Sequence, residues 1–173
     1  TSDQIVALTT RQARSLTTAQ IAALTADQIP AFEDADLRTF TSTQLRAFGA
    51  DKIQAFTTSQ IAALRRSQLG SLTTDQLMAL STDQIGAIAT DSLPVLTSGQ
   101  INAFTTTQIQ AFTTNQIVAM SGAQFAALAA DQVQALTSDQ LGAMETRDVA
   151  ALTSSQATSL STEGVEALTT AQA

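Results

Sequence analysis

Residues 16–23, Leu-Thr-Thr-Ala-Gln-Ile-Ala-Ala, are the stretch that decides the fold, because versions of it recur every eight residues along the chain. Numbering the slots of this octad from its Leu, the first slot holds a large apolar residue at every multiple of eight, from Leu8 to Leu168. No insertion interrupts the frame. Repetition at a fixed short period predicts a stack of equivalent structural units.

Each octad carries the signals of a helix start. The Thr in the second slot and the Gln in the fifth form a capping box, in which Thr accepts from an amide three residues on and Gln reaches back. The apolar residues of the first and sixth slots occupy the positions of a hydrophobic staple. An Asp in the fourth slot, present in several octads, complements the helix dipole. The predicted caps are Thr17 with Gln20, Thr73 with Gln76, and Thr137 with Gln140.

Two other architectures fit the octad less well. In one continuous helix, eight residues advance about 80° beyond two full turns, so the apolar stripe circles the helix and finds no common partner. A β-solenoid requires alternation with a period of two, which the Gln-Ile-x-Ala-Leu run lacks. A break at each Thr is therefore favoured.

These patterns predict an all-α solenoid of about 21 eight-residue repeats, each a short capped helical turn, stacked into an elongated superhelix. The partners of each repeat are its neighbours in the same chain, because one octad cannot bury enough apolar surface alone. The seventh slot is expected to face solvent, and the prolines at positions 30 and 94 indicate very short helices there. The predicted core includes Leu16, Ile21, Leu24, Ile61, Leu72, Ile101 and Leu136, together with the first-slot Phe residues.

Composition narrows the function classes. The net charge of -7 argues against a nucleic-acid partner, and the scattered basic residues do not form a phosphate-binding stripe. No apolar run is long enough for a membrane span, so membrane insertion is not expected. The frame runs through residues 1–173, which predicts a single repeat array. Because it opens and stops within an octad, we expect it to be part of a longer array.

An enzyme is not expected. The chain contains no His and no Cys, so a Ser or Thr nucleophile lacks its usual base, and thiolate metal sites are excluded. The densest acidic cluster is Glu33, Asp34 and Asp36, for which a solvated surface patch is favoured over a calcium site. With Arg65 and Arg66 it forms the candidate interaction surface. No catalytic residue, metal ligand or cofactor is predicted.

The octads resemble the Leu-Thr-Thr-x-Gln-Ile/Val-x-Ala tracts of very large repetitive bacterial proteins, often described as adhesin-like or haemagglutinin-like. This resemblance implies a structural spacer or stalk in a secreted or cell-surface protein. A solenoid that binds a protein or glycan partner is the alternative, and a self-assembling filament unit is the third hypothesis. The expected location is extracellular or at the cell surface.

Overall fold

The chain is built from short helices throughout. The computed structural model describes residues 1–172, and in that range it contains nineteen α-helices, two 3-10 helices and no strand. The 3-10 helices are η1 (Ala26–Ala31) and η2 (Thr90–Val95). The α-helices are α1 (Ser2–Val6), α2 (Thr10–Arg14), α3 (Thr18–Ala22), α4 (Asp34–Leu37), α5 (Ser42–Arg46), α6 (Ala50–Ile53), α7 (Thr58–Ala63), α8 (Arg66–Leu69), α9 (Thr74–Met78), α10 (Thr82–Ala87), α11 (Ser98–Asn102), α12 (Thr106–Gln110), α13 (Thr114–Ala119), α14 (Gly122–Ala126), α15 (Ala130–Gln134), α16 (Ser138–Ala143), α17 (Thr146–Val149), α18 (Ser154–Ser159) and α19 (Thr162–Glu166).

Each helix begins at the second slot of an octad and ends before the next one. Thr57 is extended, with φ −70° and ψ 160°, and its hydroxyl accepts from the Gln60 amide. After α7, Leu64 returns to an extended conformation with φ −60° and ψ 132°. The next residue is therefore again placed at a helix start, and the chain bends once per octad.

The two prolines change the type of helix rather than its length. Pro30 lies inside η1 and Pro94 inside η2, and each of these helices spans six residues. Since proline has no amide hydrogen and cannot make the bond that an α-helix needs at that position, the turn is wound more tightly. The prediction of unusually short helices at these prolines is wrong.

Every helix packs on the helix three octads further along the chain. For example, α4 packs on α7, and α7 packs on α10. One superhelical turn therefore contains three octads, or 24 residues, and its helices form three stacked columns. The predicted all-α solenoid is confirmed, and this number of repeats per turn completes its description.

The core is one continuous column of first-slot and sixth-slot side chains. Ile21 and Ile101 are fully buried, and Ile61, Leu72 and Leu136 are at most 6% exposed. The first-slot Phe residues are also buried and pack ring against ring, with Phe48 and Phe56 at a centroid distance of 4.9 Å.

Two residues predicted for the core, Leu16 and Leu24, are only partly buried. They belong to the first 24 residues, whose helices have a stacked turn on one side only. Leu152, Leu160 and Leu168 in the last turn are partly buried for the same reason. Burial of a first-slot Leu therefore requires a turn on each side.

Candidate functional site

The fifth-slot Gln closes a capping box at the start of its own helix. In α12, the Thr105 amide donates to Oε1 of Gln108 at 2.9 Å, and the Gln108 amide donates to the Thr105 hydroxyl at 3.2 Å. Both bonds are also present in all three predicted cap pairs: Thr17 with Gln20, Thr73 with Gln76, and Thr137 with Gln140.

The same Gln side chain also binds the preceding superhelical turn. Nε2 of Gln108 donates to the carbonyl oxygens of Leu77 at 2.9 Å and Leu80 at 2.8 Å. These carbonyls lie at the end of α9, where a helix leaves its last C=O groups without intrahelical partners. We call the side chains that make this cross-turn bond the glutamine ladder: Gln44, Gln60, Gln68, Gln76, Gln84, Gln100, Gln108, Gln116, Gln124, Gln132, Gln140, Gln156 and Gln172.

Sequence reasoning explained the fifth slot by capping alone and missed the ladder. The signal was present, because a capping box accepts Glu as readily as Gln, yet no octad has Glu in this slot. Only an amide can accept a hydrogen bond from its own helix start and donate one to the turn before. Twelve ladder members are buried accordingly, whereas Gln4, Gln12 and Gln20, with no preceding turn in the structure, are exposed.

Two substitutions in the ladder slot show what it requires. Lys52 donates through Nζ to the Ala22 carbonyl and so keeps the cross-turn bond. Asp148 is fully buried, and its Oδ2 accepts from the Glu145 amide at 3.3 Å. Its Oδ1 has no hydrogen-bond partner and lies 3.6 Å from Nε of Arg147. Burial raises the pKa of the Asp148 carboxyl, with the Arg147 charge opposing that shift.

The acidic cluster predicted at residues 33–36 does not form one surface patch. Glu33 is exposed at the start of α4, and Asp34 accepts from the Ser59 hydroxyl at 2.6 Å. Asp36, which the sequence analysis placed on the surface, is instead 2% exposed. The correction follows from the frame, since residue 36 occupies the inward-facing ladder slot. Within residues 1–172, no three His, Cys, Asp or Glu side chains converge as metal ligands would.

The predicted basic pair lies at a cavity and not beside the acidic residues. Arg65 and Arg66 are exposed at the start of α8 and line a cavity of about 230 Å³. Arg38 lines the same cavity, and its Nε donates to the Ala63 carbonyl at 3.1 Å. We call this place the arginine cleft, lined by Arg38, Leu64, Arg65, Arg66, Asp91 and Ser92 among others.

The octad just described is the unit of a known repeat family. A family model described as the ALTTAQ repeat matches residues 1–33, 29–66, 85–122, 114–146 and 141–173. The chain belongs to the ALTTAQ-repeat family. Among curated proteins, none matches it.

The ALTTAQ repeats continue through the segment between the matched regions. Residues 67–84 lie outside the five matches, yet Thr73 and Gln76 cap α9 and Gln76 makes the ladder bond to Leu45. The family and the helical stack identify a structural repeat protein. In residues 1–172, no helix combines the length and the apolar character that crossing a membrane requires.

Proposed function

We propose that this ALTTAQ array is a non-catalytic spacer, or stalk, within a large bacterial surface or secreted protein. The observation that carries the proposal is the glutamine ladder, which ties each superhelical turn to the one before by buried side-chain hydrogen bonds. A stack joined at every turn resists bending and holds a length set by its number of octads.

The geometry supports a spacer that lengthens in equal steps. Packed helices lie about 8–10 Å apart, so each turn of three octads adds about 9 Å to the stack. Because each turn contacts only its neighbours, adding turns extends the array without rearranging it. A ligand-binding or catalytic domain has no comparable dependence on repeat number.

The absence of His and Cys from the sequence agrees with a structural role. The side chains nearest to a catalytic constellation, Glu33 and Asp34, lie apart from the arginine cleft, and Asp34 is bound by Ser59. Placement at the cell surface follows from the resemblance to adhesin-like and haemagglutinin-like tracts and belongs to the same proposal.

Small-angle scattering on lengthened arrays tests the spacer. A second copy of residues 25–168, inserted in frame after Leu168, adds six turns and about 55 Å of rod at about 9 Å per turn. A globule would grow only about 1.3-fold in radius of gyration from the same addition. A linear gain in length with an unchanged cross-section supports the spacer, and cube-root growth contradicts it.

The matched control inserts a second copy of residues 25–36 after Leu168, which shifts the octad frame by half a repeat. We expect this insertion to disrupt the turns on its C-terminal side, because Gln no longer meets the carbonyls of the preceding turn. Frame-dependent lengthening separates a stacked rod from a flexible tether, in which both insertions extend the chain in proportion to their residues.

A further inference from the structure

The arginine cleft exists because one octad departs from the consensus at two slots. Ala89 stands where the capping Thr is expected, and Ser92 stands in the ladder slot. A Gln at position 92 would reach the Ile61 and Leu64 carbonyls, as Gln84 reaches those of Ile53 and Phe56. The two short side chains leave that space open, and the cavity lies there.

The cleft is locally cationic on an acidic protein. Three of the eight basic residues of the chain, Arg38, Arg65 and Arg66, line it against a single carboxylate, Asp91. In the part of the chain that the structure describes, ion pairs are made by Arg147 alone, so these three guanidinium groups are not neutralised by a carboxylate. Guanidinium groups bind carboxylates and phosphates in a bidentate manner.

The cleft also presents hydrogen-bond acceptors. The Leu64 carbonyl accepts no hydrogen bond from residues 1–172, since the ladder amide that would bind it is missing. Asp91 lines the cavity beside it, and the 96%-buried Ser92 donates to Asp91 Oδ1 at 3.4 Å. A bare anion would face these oxygens unfavourably, whereas a ligand with hydroxyl groups would donate to them.

We propose that the arginine cleft binds a small hydroxylated carboxylate, the chemistry of an acidic monosaccharide unit. The carboxylate is held by Arg65 and Arg66, and the ligand's hydroxyl groups donate to the Leu64 carbonyl and to Asp91. A volume of about 230 Å³ suits one such unit, because it lies below the roughly 300–1,000 Å³ of pockets for drug-sized ligands. The site does not depend on the spacer role.

The test is an amide NMR titration of the full chain with sodium glucuronate, and with glucose and inorganic phosphate as comparison ligands. We expect glucuronate to shift the amides of Ala63, Leu64 and Asp91 at millimolar concentrations, with glucose and phosphate at least about tenfold weaker. Equal binding of glucose would show that the arginines do not bind the ligand. Equal or tighter binding of phosphate would reduce the cleft to an anion site, and no shift with any ligand would overturn the proposal.

Two variants locate the site. Arg65→Ala with Arg66→Ala should weaken glucuronate binding at least about tenfold, whereas the matched pair Arg11→Ala with Arg14→Ala on α2 should leave it unchanged. Ser92→Gln should abolish binding by filling the cavity and should raise the thermal midpoint by restoring the ladder bond. Because Ser92→Gln is expected to stabilise the fold, its loss of binding cannot be attributed to unfolding. Undiminished binding in either cleft variant would contradict the assignment.

Discussion

The side-chain amide of Gln108 donates to the main-chain carbonyl of Leu80 at 2.8 Å, across one superhelical turn. The opposite end of the same side chain accepts from the Thr105 amide that begins its own helix. One buried amide therefore satisfies orphan groups at the start of one helix and beyond the end of another. Both halves are needed, because buried polar groups without partners cost free energy.

Replacing Gln108 with Glu should destabilise the array more than its small change in shape suggests. The carboxylate keeps the acceptor for Thr105 but faces the Leu77 and Leu80 carbonyls without a donor. We expect the free energy of unfolding at pH 7 to fall by about 2–4 kcal/mol, measured by urea denaturation. The loss should shrink at acidic pH, where the protonated side chain donates again.

The control is Gln20→Glu in the first turn. Gln20 caps α3 but is exposed and has no preceding turn to bind. Since Glu also serves in a capping box, this variant should change the free energy of unfolding by less than about 0.5 kcal/mol. Equal losses at positions 20 and 108 would mean that the ladder bond contributes nothing.

Asp148→Gln should stabilise the protein, and the gain should depend on pH. A buried group whose folded-state pKa is raised contributes stability when protonated, and that contribution is lost as pH rises through the folded-state pKa. Burial raises the pKa of Asp148 above its ordinary value of 3.8. The glutamine variant should therefore match the wild type near pH 3 and exceed it by about 1–3 kcal/mol at pH 7.

Urea denaturation at several pH values measures this difference. Arg147 and Glu145, the charged groups beside Asp148, remain in both proteins and contribute equally to first order. Asp139→Asn, at an exposed first-turn position of α16, is the control and should retain the wild-type pH profile. A pH-independent gain for Asp148→Gln would argue against a buried carboxyl that titrates on unfolding.

The two Thr residues at a helix start should differ in their effect on stability. The Thr105 hydroxyl accepts from the Gln108 amide, while the adjacent Thr106 side chain makes no hydrogen bond within the described residues. Thr105→Ala should lower the free energy of unfolding by about 1 kcal/mol. Thr106→Ala should change it by less than about 0.5 kcal/mol, and a reversed order would contradict the cap assignment.

First-slot leucines that look equivalent in the sequence should differ by position in the stack. Leu72 is 2% exposed between two turns, whereas Leu16 is partly buried in the first turn. Leu72→Ala should cost about 2–5 kcal/mol through a lost apolar contact and a cavity. Leu16→Ala should cost less than about 2 kcal/mol, because less apolar surface is buried there. Thermal denaturation of the two variants compares them, and equal shifts would contradict this ranking.

The candidate surface shows how far residue types alone can be trusted. Arg65 and Arg66 were expected at the surface and lie there, and the structure adds Arg38 from the turn below. Asp36 carries a charge and was assigned to the same surface, but its place in the octad directs it inward. Slot position predicts burial better than chemical character in this chain, because the backbone geometry of each octad is the same.

The sequence by itself determined where each helix begins, since capping boxes and staples are local signals that act within a few residues. It also determined the helical class and the apolar slots, because the period of eight excludes one long helix and a β-solenoid. Only the tertiary structure decided that three octads complete a turn, that Gln bridges turns, and that Ser92 opens a cleft beside three arginines. Those features depend on contacts between residues 24 to 31 positions apart, which arise from the accumulated bend of successive helices.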